Sequence, residues 1–97
     1  MNNLNELKDI LESHKAELGS EYNVKKIGIF GSFVRGEQKK TSDLDILVEF
    51  SKPIGFFKFL ELEEHLSEFL GIKVDLVSKK ALKPRIGAHI LKEVVAV

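Results

Sequence analysis

Two carboxylates, Asp43 and Asp45, head an apolar strand pattern that begins ten residues after the dipeptide Gly31-Ser32. Side chains alternate along a strand. Over Leu44 to Phe50, therefore, Leu44, Ile46 and Val48 share one face, while Asp43, Asp45, Leu47 and Glu49 share the other. Such a strand belongs in a sheet with one face on a core and acids on the opposite face. Asp43 and Asp45 are then neighbours, and two close carboxylates repel. A divalent cation would remove that cost. Mg2+ suits the pattern, because it accepts one or two carboxylates, several waters and phosphate oxygens.

The preceding segment supplies a place for phosphate. Val24, Ile27, Ile29 and Phe30 give Val24 to Phe30 the composition of a strand. Gly31 then ends it, since glycine takes backbone angles closed to other residues and lets a ligand approach the main chain. Ser32 is expected to cap a short helix over Phe33 to Gly36. A strand running into such a turn leaves N–H groups free where an anion could sit. Ser32 adds a hydroxyl.

A third acid lies in Ile72-Lys73-Val74-Asp75-Leu76-Val77, another strand pattern. An Asp between apolar residues is unfavourable unless paired, solvated or functional. Beside the first two strands, Asp75 would complete a cluster of three carboxylates able to hold two metal ions. It could also accept the proton of an attacking hydroxyl. Taken singly, each signal has an ordinary reading: a turn, a strand boundary, a solvated edge. Their order and spacing point to chemistry.

Gly31-Ser32, ten residues and Asp43-Leu44-Asp45, with Arg35-Gly36 between, resemble the signature of the minimal nucleotidyltransferases of the DNA polymerase β superfamily. Val74-Asp75-Leu76-Val77 fits that family's third acidic strand, and the tail from Leu82 to Glu93 resembles its short members. The resemblance implies an α/β fold of the α+β kind, a small mixed sheet packed with helices like the polymerase β palm. It implies that Gly31 and Ser32 hold a triphosphate and that Asp43 and Asp45 bind two Mg2+ ions. Asp75 would share one metal and help activate the acceptor hydroxyl. Arg35 would either reach phosphate or anchor its helix through a carboxylate. Many such proteins are antitoxins that transfer AMP from ATP to a tyrosine of a HEPN-domain ribonuclease toxin. Two rivals stand beside this: a binding module that silences its partner by occlusion, and transfer to a small molecule, for which the chain lacks a substrate domain.

Length and charge set the bounds. Ninety-seven residues allow one domain, and a formal net charge of zero supplies no general field for nucleic acid. A long template is not expected. The absence of Cys excludes disulfides and thiolate metal sites, which fits a cytoplasmic protein. No apolar run approaches membrane length, and Met1-Asn2-Asn3 lacks a leader pattern.

Elsewhere the pattern predicts a first helix from Leu4, Leu7, Ile10, Leu11 and Leu18, with a capping box at Asn3 and Glu6 and a stop at Gly19. Lys39 and Lys40, close to the proposed site, read as a solvated turn or as a source of phosphate attraction. Phe56 to Leu70 reads as a helix closed by Gly71, with Glu61, Glu63, Glu64 and Glu68 on a solvated face and more apolar residues than one stripe needs. A last helix from Pro84 would have Ile86, Ile90, Leu91 and Val94 as its apolar side. The apolar end Val94-Val95-Ala96-Val97 would pack down, form a short strand or meet a second subunit, in a homo- or hetero-oligomer. His14, His65 and His89 are read as surface or boundary residues.

Overall fold

A computed structural model describes residues 3–97. Met1 and Asn2, considered above only for a leader pattern, lie outside the described residues. The order is α1 (Leu4–Tyr22), β1 (Val24–Phe30), α2 (Ser32–Arg35), β2 (Leu44–Phe50), α3 (Phe56–Leu70), β3 (Val74–Ser78), a 3-10 turn (Lys79–Ala81), α4 (Pro84–Glu93) and β4 (Val95–Ala96). The sheet runs β3-β2-β1-β4. β1 is antiparallel to β2 and β4, and β2 is parallel to β3. A parallel pair needs a crossover, and α3 provides it.

Alternation along β2 decides the layering. Leu44, Ile46 and Val48 are fully buried, in one cluster with Ile27, Ile29, Val74 and Leu76. Leu7, Leu11 and Leu18 of α1 and Leu62, Leu66 and Leu70 of α3 complete that cluster. Two helices thus cover one face of the sheet. Phe33 of α2 joins the same core, which ties the Gly-Ser turn to the scaffold. The other face carries Asp45, Leu47 and Glu49, partly overhung by Leu91 and Val94 from the C-terminal segment.

Several local expectations need correction. Asn3 does cap α1, with its side-chain oxygen accepting the Glu6 N–H at 2.9 Å. The helix does not stop at Gly19, however. It continues to Tyr22, which is buried in the core, and Asn23 takes the left-handed cap at φ 57°. Tertiary burial outweighs the local breaker. β3 starts at Val74 rather than Ile72, because pairing with β2 begins where the Leu44 N–H donates to the Lys73 carbonyl.

Glu63 is not merely solvated. Its carboxylate accepts the Leu76 N–H at 2.8 Å, and the Ser67 hydroxyl accepts the Val74 N–H at 3.0 Å. Helix α3 thereby occupies the outer donors of edge strand β3, which would otherwise invite another chain. The last helix also departs from its pattern. Ile86 and Leu91 are exposed, and Gly87 is its buried residue. The tail takes the short-strand option, since Gly28 faces Ala96 and Ile29 faces Val95. Among the described residues, no helix is long and apolar enough to cross a membrane.

Close packing of the tail makes Gly28 a test of this arrangement. A methyl at Gly28 would lie 2.6 Å from Val94 Cγ2 and 3.0 Å from the Val95 carbonyl oxygen. Gly28→Ala should push β4 off β1 and cost about 1–3 kcal/mol, seen as a lower urea midpoint. An unchanged midpoint would mean that β4 contributes nothing to stability.

Candidate active site

The β-sheet register brings the motif residues together. Phe30, the last residue of β1, faces Asp45 of β2, and Asp45 faces Asp75 of β3. The Gly31 turn, Asp45 and Asp75 therefore form one row across three strands. Asp43 precedes Asp45 by two residues and shares its face. The turn from Glu37 to Asp43 is ordered by the Lys39 N–H donating to the Ser42 hydroxyl at 2.7 Å.

Gly31 could be no other residue without disturbance. Its φ of 83° and ψ of −154° lie in a region essentially restricted to glycine. A Cβ there would fall on the Asp45 carboxylate. The missing side chain is what lets the acid lie against the turn. Gly31 is also the cap of α2, a place the sequence pattern gave to Ser32. Ser32 is instead the first helical residue. The Val34 and Arg35 N–H groups return to the Gly31 carbonyl at 3.0 and 3.2 Å. The earlier N–H groups, of Ser32 and Phe33, have no helical turn behind them to bond.

Asp45 is half-buried, and its carboxyl is held above the usual carboxylate range. Burial is the main cause, followed by repulsion from Asp75 and then Asp43, against attraction from Arg35. Asp75 is exposed, and Asp43 stands 4.0 Å from the Lys73 ammonium, both groups solvated. The three carboxylates share a face. Among the described residues, however, no three acidic or histidine side chains close into a ready ligand cluster. Asp43 and Asp75 are exposed, whereas Asp45 is half-buried. This donor set fits a divalent cation: hard oxygen ligands, mutually repelling, with one held partly out of water.

Arg35 takes the anchoring option. Its Nε donates to Glu37 at 2.7 Å and its Nη1 to Glu93 at 2.5 Å. Glu93 had no assigned role in the sequence reading. Its other oxygen accepts the Gly31 N–H at 3.2 Å. Arg35, then the Gly31 N–H, hold the Glu93 carboxyl below its usual value, against a contribution from burial. Two of the histidines stay away from this site: His14 stacks on Phe69, and His65 bonds Glu17 at 2.8 Å. A cleft of about 570 Å3 opens at the far end of β2, lined by Phe50, Pro53, Ile54 and Phe59 with Lys79 and Lys80. It holds none of the motif residues. The candidate site is placed by the acid row rather than by volume.

Comparison with known proteins shows the family and the fold. The family model of the nucleotidyltransferase domain matches residues 7–97. A protein adenylyltransferase, MntA, of Thermococcus cleftensis is 51% identical over 94 residues, covering 97% of this chain and 95% of the relative. A solved structure of a candidate minimal nucleotidyltransferase superposes with a TM-score of 0.84 at 30% identity, covering 99% of this chain and 97% of the other. A complex of tri-AMPylated Shewanella oneidensis HEPN toxin with its MNT antitoxin shares the fold alone, with a TM-score of 0.68 at 19% identity, covering 93% and 70%. The chain belongs to the nucleotidyltransferase domain family, and it is a nucleotidyltransferase of the minimal kind.

Two variants separate the site's charge from its shape. A native Asp45 pKa above the unfolded value means that the unfolded chain releases this proton first as pH rises. Stability therefore falls across that window and stays lower above it. Asp45→Asn should raise the thermal midpoint at neutral pH, and the gap should close as pH is lowered. A neutral-pH midpoint below that of the parent would contradict this. Gly31→Ala should instead destabilise by about 1–3 kcal/mol from the forced backbone angles and displace Asp45, read by chemical denaturation.

Proposed function

We propose that this protein is a divalent-metal-dependent protein adenylyltransferase acting as an antitoxin. It transfers AMP from ATP to a hydroxyl, a tyrosine of a partner HEPN-domain ribonuclease. The observation that carries this reading is the row in which Asp45 lies between Asp75 and the Gly31-Ser32 turn. Support comes from the high identity to MntA over nearly the whole of both chains and from the AMPylated toxin in the structurally similar complex.

The roles follow from position. Gly31 and Ser32 receive the β- and γ-phosphates through main-chain N–H groups and the Ser32 hydroxyl. Asp43 and Asp45 would hold two Mg2+ ions, with Asp75 sharing one. Bound there, the metal would neutralise charge on the α-phosphate and on the departing pyrophosphate. Asp75, the exposed member of the row, accepts the proton of the incoming hydroxyl. The acceptor oxygen bonds to the α-phosphorus, the bond to the β-phosphate oxygen breaks, and pyrophosphate leaves. Arg35 acts on this chemistry by fixing α2 through Glu93 and Glu37, and its charge reaches Asp45. Asp43 and Asp75 are exposed, so the acid face is open for the acceptor to dock as a folded partner.

The direct test incubates the protein with Mg2+, ATP labelled on the α- or the γ-phosphate, and the candidate HEPN partner. Label should enter the partner from α-labelled ATP only. Asp45→Asn should lower that transfer roughly 100-fold or more, since several kcal/mol of charge stabilisation are lost. Partner silencing without any Asp45-dependent label would instead establish occlusion.

A further inference from the structure

Glu93 sits where local rules disfavour it. It is the last residue of α4, at the helix end whose dipole favours cations. Strand pairing puts it there. Gly28 faces Ala96 and Ile29 faces Val95, so the same register carried two residues further sets Gly31 across from Glu93. Its carboxylate takes up both groups on offer, the Gly31 N–H at 3.2 Å and the Arg35 guanidinium. The side chain is only 13% exposed. The acid row is not its partner; like Asp43 and Asp75, it repels the charge on Asp45.

This contact has a chemical cost for an incoming anion. One N–H makes one good hydrogen bond, so a phosphate oxygen and Glu93 cannot both take the Gly31 donor. Arg35 cannot offset the negative field either, because Glu93 and Glu37 already share its charge. Metal-free ATP would meet Glu93 beside Asp45, Asp43 and Asp75. A metal-bound triphosphate arrives with much of its charge neutralised and gains the acid row as ligands. We propose that Glu93 is a specificity-determining residue that excludes metal-free nucleotide and inorganic phosphate from the Gly31-Ser32 turn. It yields that donor only to a metal-loaded triphosphate. This rests on reading the turn as the triphosphate site.

Calorimetry of ATP binding in Mg2+ and in EDTA tests it, with Glu93→Gln beside the parent. The glutamine keeps an acceptor oxygen for Gly31, removes the charge and frees Arg35. The parent should bind ATP in Mg2+ and scarcely in EDTA. Glu93→Gln should bind ATP in EDTA about tenfold more tightly than the parent does, the scale of one close charge at part-solvated range. Its affinity in Mg2+ should change much less. Adding Arg35→Ala should erase the gain. Retained binding in Mg2+ shows that the turn is intact in the variant, which separates guarding from simple support. Equal EDTA affinity in parent and variant would overturn the inference, as would loss of binding by the variant in both conditions. If the parent binds no ATP even with Mg2+, the triphosphate reading of the turn fails first.

Discussion

The contact between the Asp45 carboxylate and the bare backbone of Gly31 governs the site. It requires a residue without Cβ at φ 83° and an acid half-withdrawn from water beside two others. Both requirements cost stability, and the scaffold meets them elsewhere. β2 is held between β1 and β3, with Leu44, Ile46 and Val48 wholly buried. Phe33 fixes the short helix that begins at the turn. The acid face can carry repulsion because the opposite face of the same strand is packed under two helices.

The C-terminal segment works as a brace for that contact. β4 is only two residues long, yet it sets the end of α4 beside the turn. Glu93 then joins the N–H of Gly31 to Arg35 across about sixty residues of sequence. The brace also loads the site electrostatically. Its charge lies near Asp45 and helps to hold that carboxyl above its usual range. The exposed apolar side chains of α4, Ile86 and Leu91, are the counterpart of this arrangement. The helix is oriented by what its end must reach rather than by full burial of its own stripe.

The parts legible in the sequence were those set by short-range periodicity. β1 and β2 follow from apolar spacing, and the buried trio of β2 from simple alternation. The Gly-Ser and Asp-x-Asp spacing marked the candidate site, because it fixes a turn and a strand face together. What escaped was decided at long range. Gly19 did not end α1, because burial of Tyr22, three residues further on, outweighs that local stop signal. Glu63 read as one acid among several, and only the position of β3 gives it a backbone donor. Glu93 carried one faint signal, an acid at the wrong end of a helix. Arg35 could not be assigned until Glu93 was in place.

A crystal grown with a non-hydrolysable ATP analogue and Mn2+ tests the central claim most directly, because manganese marks its own position by anomalous scattering. Anomalous density coordinated by Asp45, with the triphosphate on Gly31 and Ser32, is the expected result. An analogue bound elsewhere, such as the apolar cleft beside Phe50 and Phe59, with no metal at Asp45, would contradict it.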